Sequence, residues 1–525
     1  LRCQKHQRKQ MIVMKRISLI IIAATVLCGA SAWAQDVNEA FNLSNTGPQG
    51  TARSMGFGNA LGSVGGDFAS IAVNPAGLGI YRSSELSFTP SLKMDGSKST
   101  YSGNSTMDNN LNFNFNHWGM VFTNAAKGKR YERRKWKSVA FAIGMNKTAD
   151  FNRNYSYAGI NKTSSASQAM ESDANQNPGN YNIPGTLGFM GYQGYLLNYD
   201  SSTGKYHSIV PFQNGINQQK TAQIRGAINE LDLSLGGNYM EHLLLGVTLG
   251  IPVINYQVNS TYTESLGPGN MGNSDGFSSF SYGNNLNITG SGLNLKLGLI
   301  WKINDYLRIG GAIHTPTYYT ISENSTPSLY STVNGGYNAI DNSFANQTNR
   351  FDYNLTTPWK SVLSGTFLFG KVGFVTADFE HVNYNTMRYT YPTGYDNNGA
   401  TFQYDETLMN QQIKNTYQAA NNIRIGGEIK LGALMLRAGY GFYGNPYKSS
   451  QPSMTRNDIS CGIGFHFHSF FTDLGLVHSM YSVSQQPYTI DYSGVVTSTS
   501  PATIPTAKID YSLNNVAWTI GWKFH

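Results

Sequence analysis

From residue 84 onward the chain repeatedly alternates apolar side chains with small or polar ones. Over 513–524, Val516, Trp518, Ile520, Trp522 and Phe524 fall on one face, and Ala517, Thr519, Gly521 and Lys523 on the other. Leu293, Leu295, Leu297, Leu299 and Trp301 are opposed in the same way by Asn294, Lys296 and Gly298. Ile459, Cys461, Ile463, Phe465 and Phe467 are opposed by Ser460, Gly462, His466 and His468. A period of two marks a β-strand. Along the chain it predicts fourteen strands, near 84–92, 111–122, 136–146, 227–238, 242–256, 288–302, 306–316, 358–369, 372–383, 421–431, 434–442, 457–467, 470–481 and 513–524. After the first strand the connections run long, short, long, short. The short ones are 123–135, 239–241, 303–305, 370–371, 432–433 and 468–469. The long ones are 93–110, 147–226, 257–287, 317–357, 384–420, 443–456 and 482–512. Outer-membrane barrels have this layout, with short periplasmic turns and long extracellular loops. The even strand count brings both ends of the wall to the periplasmic side. The longest connection, 147–226, is expected to carry structure of its own.

Residues 14–34 read as a signal peptide. Lys15 and Arg16 form a basic start, Ile17 to Cys28 a short apolar stretch, and Ala32-Trp33-Ala34 a cleavage site. Translation is expected to begin at Met14, with 1–34 lost and the mature chain starting near Gln35. No apolar run of about 18 residues follows, so the membrane must be crossed by a closed barrel rather than by helices. The expected organisation is therefore 1–34 upstream residues and signal, 35–83 a segment before the wall, and 84–525 the barrel, placed in the outer membrane.

Segment 35–83 does not alternate. It is dense in glycine yet holds Met55, Phe57, Leu61, Phe68 and Ile71. Shielding each such side chain is worth about 1.5–3 kcal/mol. Side chains alone do not fill the lumen of a fourteen-stranded barrel. The segment is therefore expected to fold inside it as a plug.

Composition agrees. Only 13% of the 525 residues are charged and 13% are aromatic, with 56 Gly and 33 Tyr. This excludes disorder and argues against a helical soluble enzyme. The first 34 residues hold six of the 38 basic residues and no acidic one, so the mature chain carries 32 against 30, a net of +2. No global case for nucleic-acid binding survives. Cys461 alone remains after cleavage, which excludes an internal disulfide. The basic run 127–137 falls in a periplasmic turn. Gly56, Gly58 and Gly62 have the wrong spacing for a nucleotide loop. No nucleophile–base pair is geometrically placed for catalysis. His466, His468 and His478 are weighed as a metal or haem set against polar lumen lining, and lining is preferred.

Asn74-Pro75-Ala76-Gly77 just before the first strand resembles the NPA motif of the FadL/TodX-type outer-membrane transporters. Gly50 to Gly56, Gly65-Gly66-Asp67, Pro316-Thr317-Tyr318 and Arg437-Ala438-Gly439-Tyr440 resemble that family too. The resemblance implies a fourteen-stranded barrel with an N-terminal hatch. It also implies passive uptake of hydrophobic compounds, long-chain fatty acids foremost, by loop capture, hatch-gated transfer and lateral release. No cofactor, metal or catalytic residue is implied. The implied partners are a hydrophobic small molecule, outer-membrane lipid and lipopolysaccharide, with the chain acting as a monomer. The capture groove is expected from Leu266, Met271, Phe277, Phe280, Leu329 and Tyr330. Gly144 would mark a kink in the wall, and Arg53 and Lys147 would anchor a carboxylate. The competing reading is a surface binding protein on the same barrel, a haem receptor or adhesin.

Overall fold

The computed structural model describes residues 37–524, except 48, 177–178, 269–274, 341–348, 396–400, 404–405, 449–451, 492–494 and 497–502. The proposed signal segment and Met271 lie outside the described residues. Fourteen antiparallel strands form the wall: β1 Ser84–Tyr101, β2 Asn104–Ala125, β3 Trp136–Asp150 continued by Arg153–Asn161, β4 Ile216–Tyr239, β5 Leu243–Leu266 and β6 Phe277–Lys302. Next come β7 Leu307–His314 continued by Tyr318–Val333, β8 Asn349–Thr356 continued by Lys360–Leu368, and β9 Gly373–Asn383 continued by Arg388–Thr390. The last five are β10 Ala419–Leu431, β11 Leu434–Tyr443, β12 Arg456–Phe467, β13 Phe470–Gln485 and β14 Ala507–Phe524. Each pairs with its sequence neighbours. The first and last strands close the ring, from Ser84↔Phe524 to Thr100↔Lys508. Among the described residues no helix is long and apolar enough to cross a membrane.

The strands run further than the alternation predicts. Residues 93–110, expected as a long loop, are the upper halves of β1 and β2, joined by a two-residue turn at Ser102 (φ 47°) and Gly103 (φ 85°). Positive φ at both positions matches the twist of a tight hairpin. β4, β5 and β6 likewise extend well beyond their predicted ends. Above the apolar belt their outward residues are mostly Asn, Gln, Ser and Thr, and the inward ones mix Ile224 and Tyr262 with Gln218 and Glu264, so the alternation signal fades. Connection 147–226 does carry structure, with helices Ser167–Gln176 and Leu187–Gln193 and a hairpin of Leu197–Asp200 with Lys205–Ser208.

One face of the wall is a belt of exposed apolar side chains, among them Leu245, Val253, Leu293, Trp301, Phe379 and Trp522. A continuous apolar surface of this size requires lipid around it. The buried core lies inside the ring.

Candidate functional site in the barrel lumen

Residues 37–83 lie against inward-facing side chains of the wall. Met55, Phe57, Leu61, Phe68 and Ile71 are all buried. Phe57 and Leu61 share one apolar cluster with Ala312, Val362 and Phe374. Phe68 and Ile71 share another with Val121, Ala140 and Ala142. The contact is close because the wall supplies inward glycines. A Cβ at Gly426 would overlap the backbone of Phe57, one at Gly475 that of Ala52, and one at Gly246 that of Pro75. Glycine is used here for backbone approach rather than for a special φ.

Polar contacts fix the rest. Thr51 caps helix Ala52–Gly56 by accepting from the Ser54 amide, and donates to Asp67 at 2.8 Å. The Gly62 amide donates to Asp378 at 3.1 Å, and Ser63 lies 2.7 Å from Ser364 and Thr366. The carbonyl oxygens of Ile71 and Val73 accept from Thr248 and from His314 Nε2. Asn74 is wholly buried. Its Oδ1 accepts from the Ala76 amide at 3.1 Å, capping the short turn Pro75–Ile80. Its Nδ2 donates to the Gly62 carbonyl at 2.6 Å and reaches those of Leu299 and Gly311 at 3.1 and 3.3 Å. One amide thus ties the turn to the segment and to β6 and β7. Pro75 sits where its missing amide is not needed. Asn74→Ala should leave these carbonyls unpaired, costing about 2–4 kcal/mol locally. The expected result is protease sensitivity within residues 60–83 while the heat-modifiable migration of the barrel stays normal. Unchanged protection would reduce the motif to an ordinary turn.

At the periplasmic end Arg82 donates to both carboxylate oxygens of Glu241, at 2.7 and 2.9 Å, and to Ser138 at 2.6 Å. Glu241 lies in the turn between β4 and β5. Burial alone would raise its pKa, but the Asn238 amide and the charges of Arg82 and Lys302 outweigh this and hold the carboxyl below its ordinary range. The root of the segment is therefore pinned.

Arg53 and Lys147 are placed otherwise than as free anchors. The Arg53 guanidinium donates to Glu428 at 3.0 Å and to the Gly66 carbonyl, with Asp67 at 3.8 Å. Glu428 also takes Arg437 at 2.6 Å, and Arg437 pairs with Asp473. Lys147 Nζ is spent on Asn114 at 2.6 Å and Asp150 at 3.2 Å. Both cations are neutralised by carboxylates that fold next to them. Arg153 was not singled out by the sequence reading and is different. Its guanidinium forms no ion pair among the described residues and lies 5.9 Å from the Tyr511 ring centre, and its charge acts at longer range on Asp95, which is itself paired with Lys93 at 3.1 Å.

Arg153 lines a luminal cavity of about 570 Å³. Its roof is helix α1, Val37–Ser44, whose Phe41 stacks on Tyr417 at 5.4 Å and meets Tyr384 edge-on at 5.0 Å. Asp150, Phe151 and Tyr155 form its side. That side is where the wall is interrupted. The β2–β3 ladder runs from Ala125↔Ser138 to His117↔Asn146 and stops, so residues 104–116 of β2 have no ladder partner there. β3 slips register between Lys147 and Ala149, and its continuation Arg153–Asn161 pairs with β4 alone. Only side chains bridge the break near the top: Ser156 donates to Asp108 at 2.7 Å, and Thr106 donates to the Ser156 carbonyl.

The break lies beyond Gly144. That glycine sits inside an unbroken ladder, opposite Gly119 and Asp232, and its lack of a side chain makes room for Phe68. The expected capture groove is also corrected. Phe277, Phe280 and Leu329 are buried in one apolar cluster with Met170, Phe189 and Met190 of the 147–226 connection, and Leu266 packs against it. Tyr330 faces outward, stacked on Tyr337. These side chains fasten a loop to the strands because the loop brings its own apolar partners. His466 faces the lumen, 3.9 Å from Asp473. His478 shares the lipid-facing parity of Leu474 and Leu476 and bonds Asn514, so the three histidines do not converge.

Comparison with solved structures places this architecture. The chain superposes on a Pseudomonas aeruginosa FadL homologue with a TM-score of 0.54 and 12% identity, over 92% of this chain and all of that one. The fold is that of the FadL-type barrels. A TodX monoaromatic hydrocarbon channel carrying a deltaS2 mutation gives a TM-score of 0.50 and 13% identity, over 90% of this chain and 99% of that one. No family model and no curated protein matches the sequence. At these identities what the chain shares with them is the fold.

Proposed function

We propose that the protein is an outer-membrane channel for the passive uptake of hydrophobic compounds, with long-chain fatty acids as the preferred cargo. The observation that carries this reading is the pairing of a luminal cavity with a wall whose ladder stops beside it. Cargo enters from the extracellular side, is held in the cavity, and leaves sideways at the break once the N-terminal segment shifts. A plug is useless to an open aqueous pore but suits apolar cargo. Each buried CH₂ holds with about 0.8 kcal/mol, so release requires a second state of the site. The anchor for a carboxylate head is Arg153, whose guanidinium forms no ion pair among the described residues, while the tail lies against Phe151, Tyr256 and Tyr511. The FadL-type relatives add weight through fold alone.

Uptake of radiolabelled oleate by a null strain, with and without the gene, tests the reading. Equal uptake would refute it. Arg153→Gln should weaken oleate binding about ten- to a hundredfold, the worth of a charge-assisted hydrogen bond, and leave toluene binding unchanged. Equal losses for both would mean that Arg153 only shapes the cavity.

A further inference from the structure

The outer faces of β4 to β7 change character at one height. On β4 the outward residues pass from Leu235, Leu233 and Leu231 through Asn229, Ala227 and Arg225 to Gln223 and Thr221. On β5 they pass from Val253 to Asn255, Gln257 and Asn259, while Ile224, Tyr256 and Leu286 on the opposite parity are buried in the lumen. Above that line the wall carries an outward concavity of about 720 Å³. Thr221, Gln223, Asn259, Thr261, Asn285 and Thr326 line it. None of these six side chains has a hydrogen-bond partner among the described residues. The single charged lining residue, Asp108, is already bonded by Ser156. At one end Tyr330 stacks on Tyr337, with ring centres 6.2 Å apart and planes 16° apart, and Tyr337 is 69% exposed.

We infer that this face binds the sugar chain of lipopolysaccharide in the surrounding leaflet. Uncharged amides and hydroxyls both donate and accept, as sugar hydroxyls do, and the one cation beside them, Arg225, is bonded to the lining Asn154 at 2.7 Å at the edge of the concavity. The exposed tyrosine pair offers a ring face to the apolar side of a pyranose. The position selects the source. The polar face starts where the apolar belt ends on the same strands, so a sugar chain tethered to a lipid in that leaflet is held against it at high effective concentration. The inference is independent of the cargo.

The test uses the full-length mature chain, purified in a zwitterionic detergent that contains no sugar. The probes are the polysaccharide released from the host's lipopolysaccharide by mild acid, the lipid A that remains, and dextran of matched length. The wild type should bind the released polysaccharide saturably. Asn259→Ala/Asn285→Ala/Thr326→Ala should weaken it by about tenfold or more, as expected for three lost hydrogen bonds. Tyr330→Ala should weaken it as well. Heat-modifiable migration and oleate uptake should stay normal in both variants. Failure to bind the polysaccharide, equal binding of dextran, retention of lipid A alone, or wild-type affinity in the triple variant would each overturn the inference. Loss of oleate uptake in the wild type would instead strike at the transport reading.

Discussion

Deletion of residues 36–60 should convert a closed barrel into a conducting pore in a planar bilayer. The deleted stretch contains α1, which roofs the cavity, and helix Ala52–Gly56, which fills the lumen beside β12 and β13. The wall cannot collapse to refill that space. Its ladder is continuous from β8 to β14, and strand number fixes its radius. Inward glycines at 426, 439, 462 and 475, which now receive the segment's backbone, would line an open, wet passage. The wild type should show a flat baseline under the same voltage, and the deletion should show steady current steps. The ring should still close, because its backbone hydrogen bonds are untouched, although the burial of Phe41, Met55 and Phe57 is lost. A deletion variant that folds and still insulates would show that the remaining residues 61–83 block the lumen alone.

Tying the N-terminal segment to the wall should abolish uptake. The hydroxyl oxygens of Ser63 in the segment and Ser364 in β8 lie 2.7 Å apart, and both side chains are buried. Ser63→Cys with Ser364→Cys, in a Cys461→Ala background, therefore places two thiols within bonding reach. The oxidised protein should take up oleate no faster than cells lacking the gene, and a reductant should restore transport. The reduced pair controls for packing damage. Full uptake in the cross-linked form would mean that cargo passes without movement of the segment around Ser63, leaving helix Ala52–Gly56 as the mobile part.

How far the chain could be read without coordinates follows from the solvent. Lipid forces every second residue of β14, from Val516 to Phe524, to be apolar, and the lumen accepts what lies between, so the fourteen strands and their order are visible in one dimension. Above the lipid that constraint lapses. Residues 93–110 are strand with mostly polar side chains on both faces, and 257–266 has a polar outer face and an inner one that mixes Val258, Tyr262 and Leu266 with Ser260 and Glu264, so neither carries the period of the belt. The apolar density of residues 49–81 likewise announces burial. The partners of those residues, however, are far off in the chain, from Val121 beside Phe68 to Ser460 beside Gly56.

That distance is why the chemistry of the lumen was misread from the sequence. Arg53 looks free until Glu428 folds beside it, and Lys147 until Asn114 arrives from β2 and the strand end turns Asp150, three residues on, towards it. Arg153 looks like any strand residue until its surroundings turn out to be tyrosines. Phe277, Phe280 and Leu329 are apolar on paper, but whether they line a groove or hold a loop depends on Met170 and Phe189 arriving from another strand connection. Gly144 shows a missing side chain, whereas the reason for it is Phe68. Alternation is a local response to two solvents and is written into consecutive residues. Neutralisation of a charge, occupation of a cavity and the place where a ladder stops are set by the closing of the ring, which brings together residues that the linear order keeps apart.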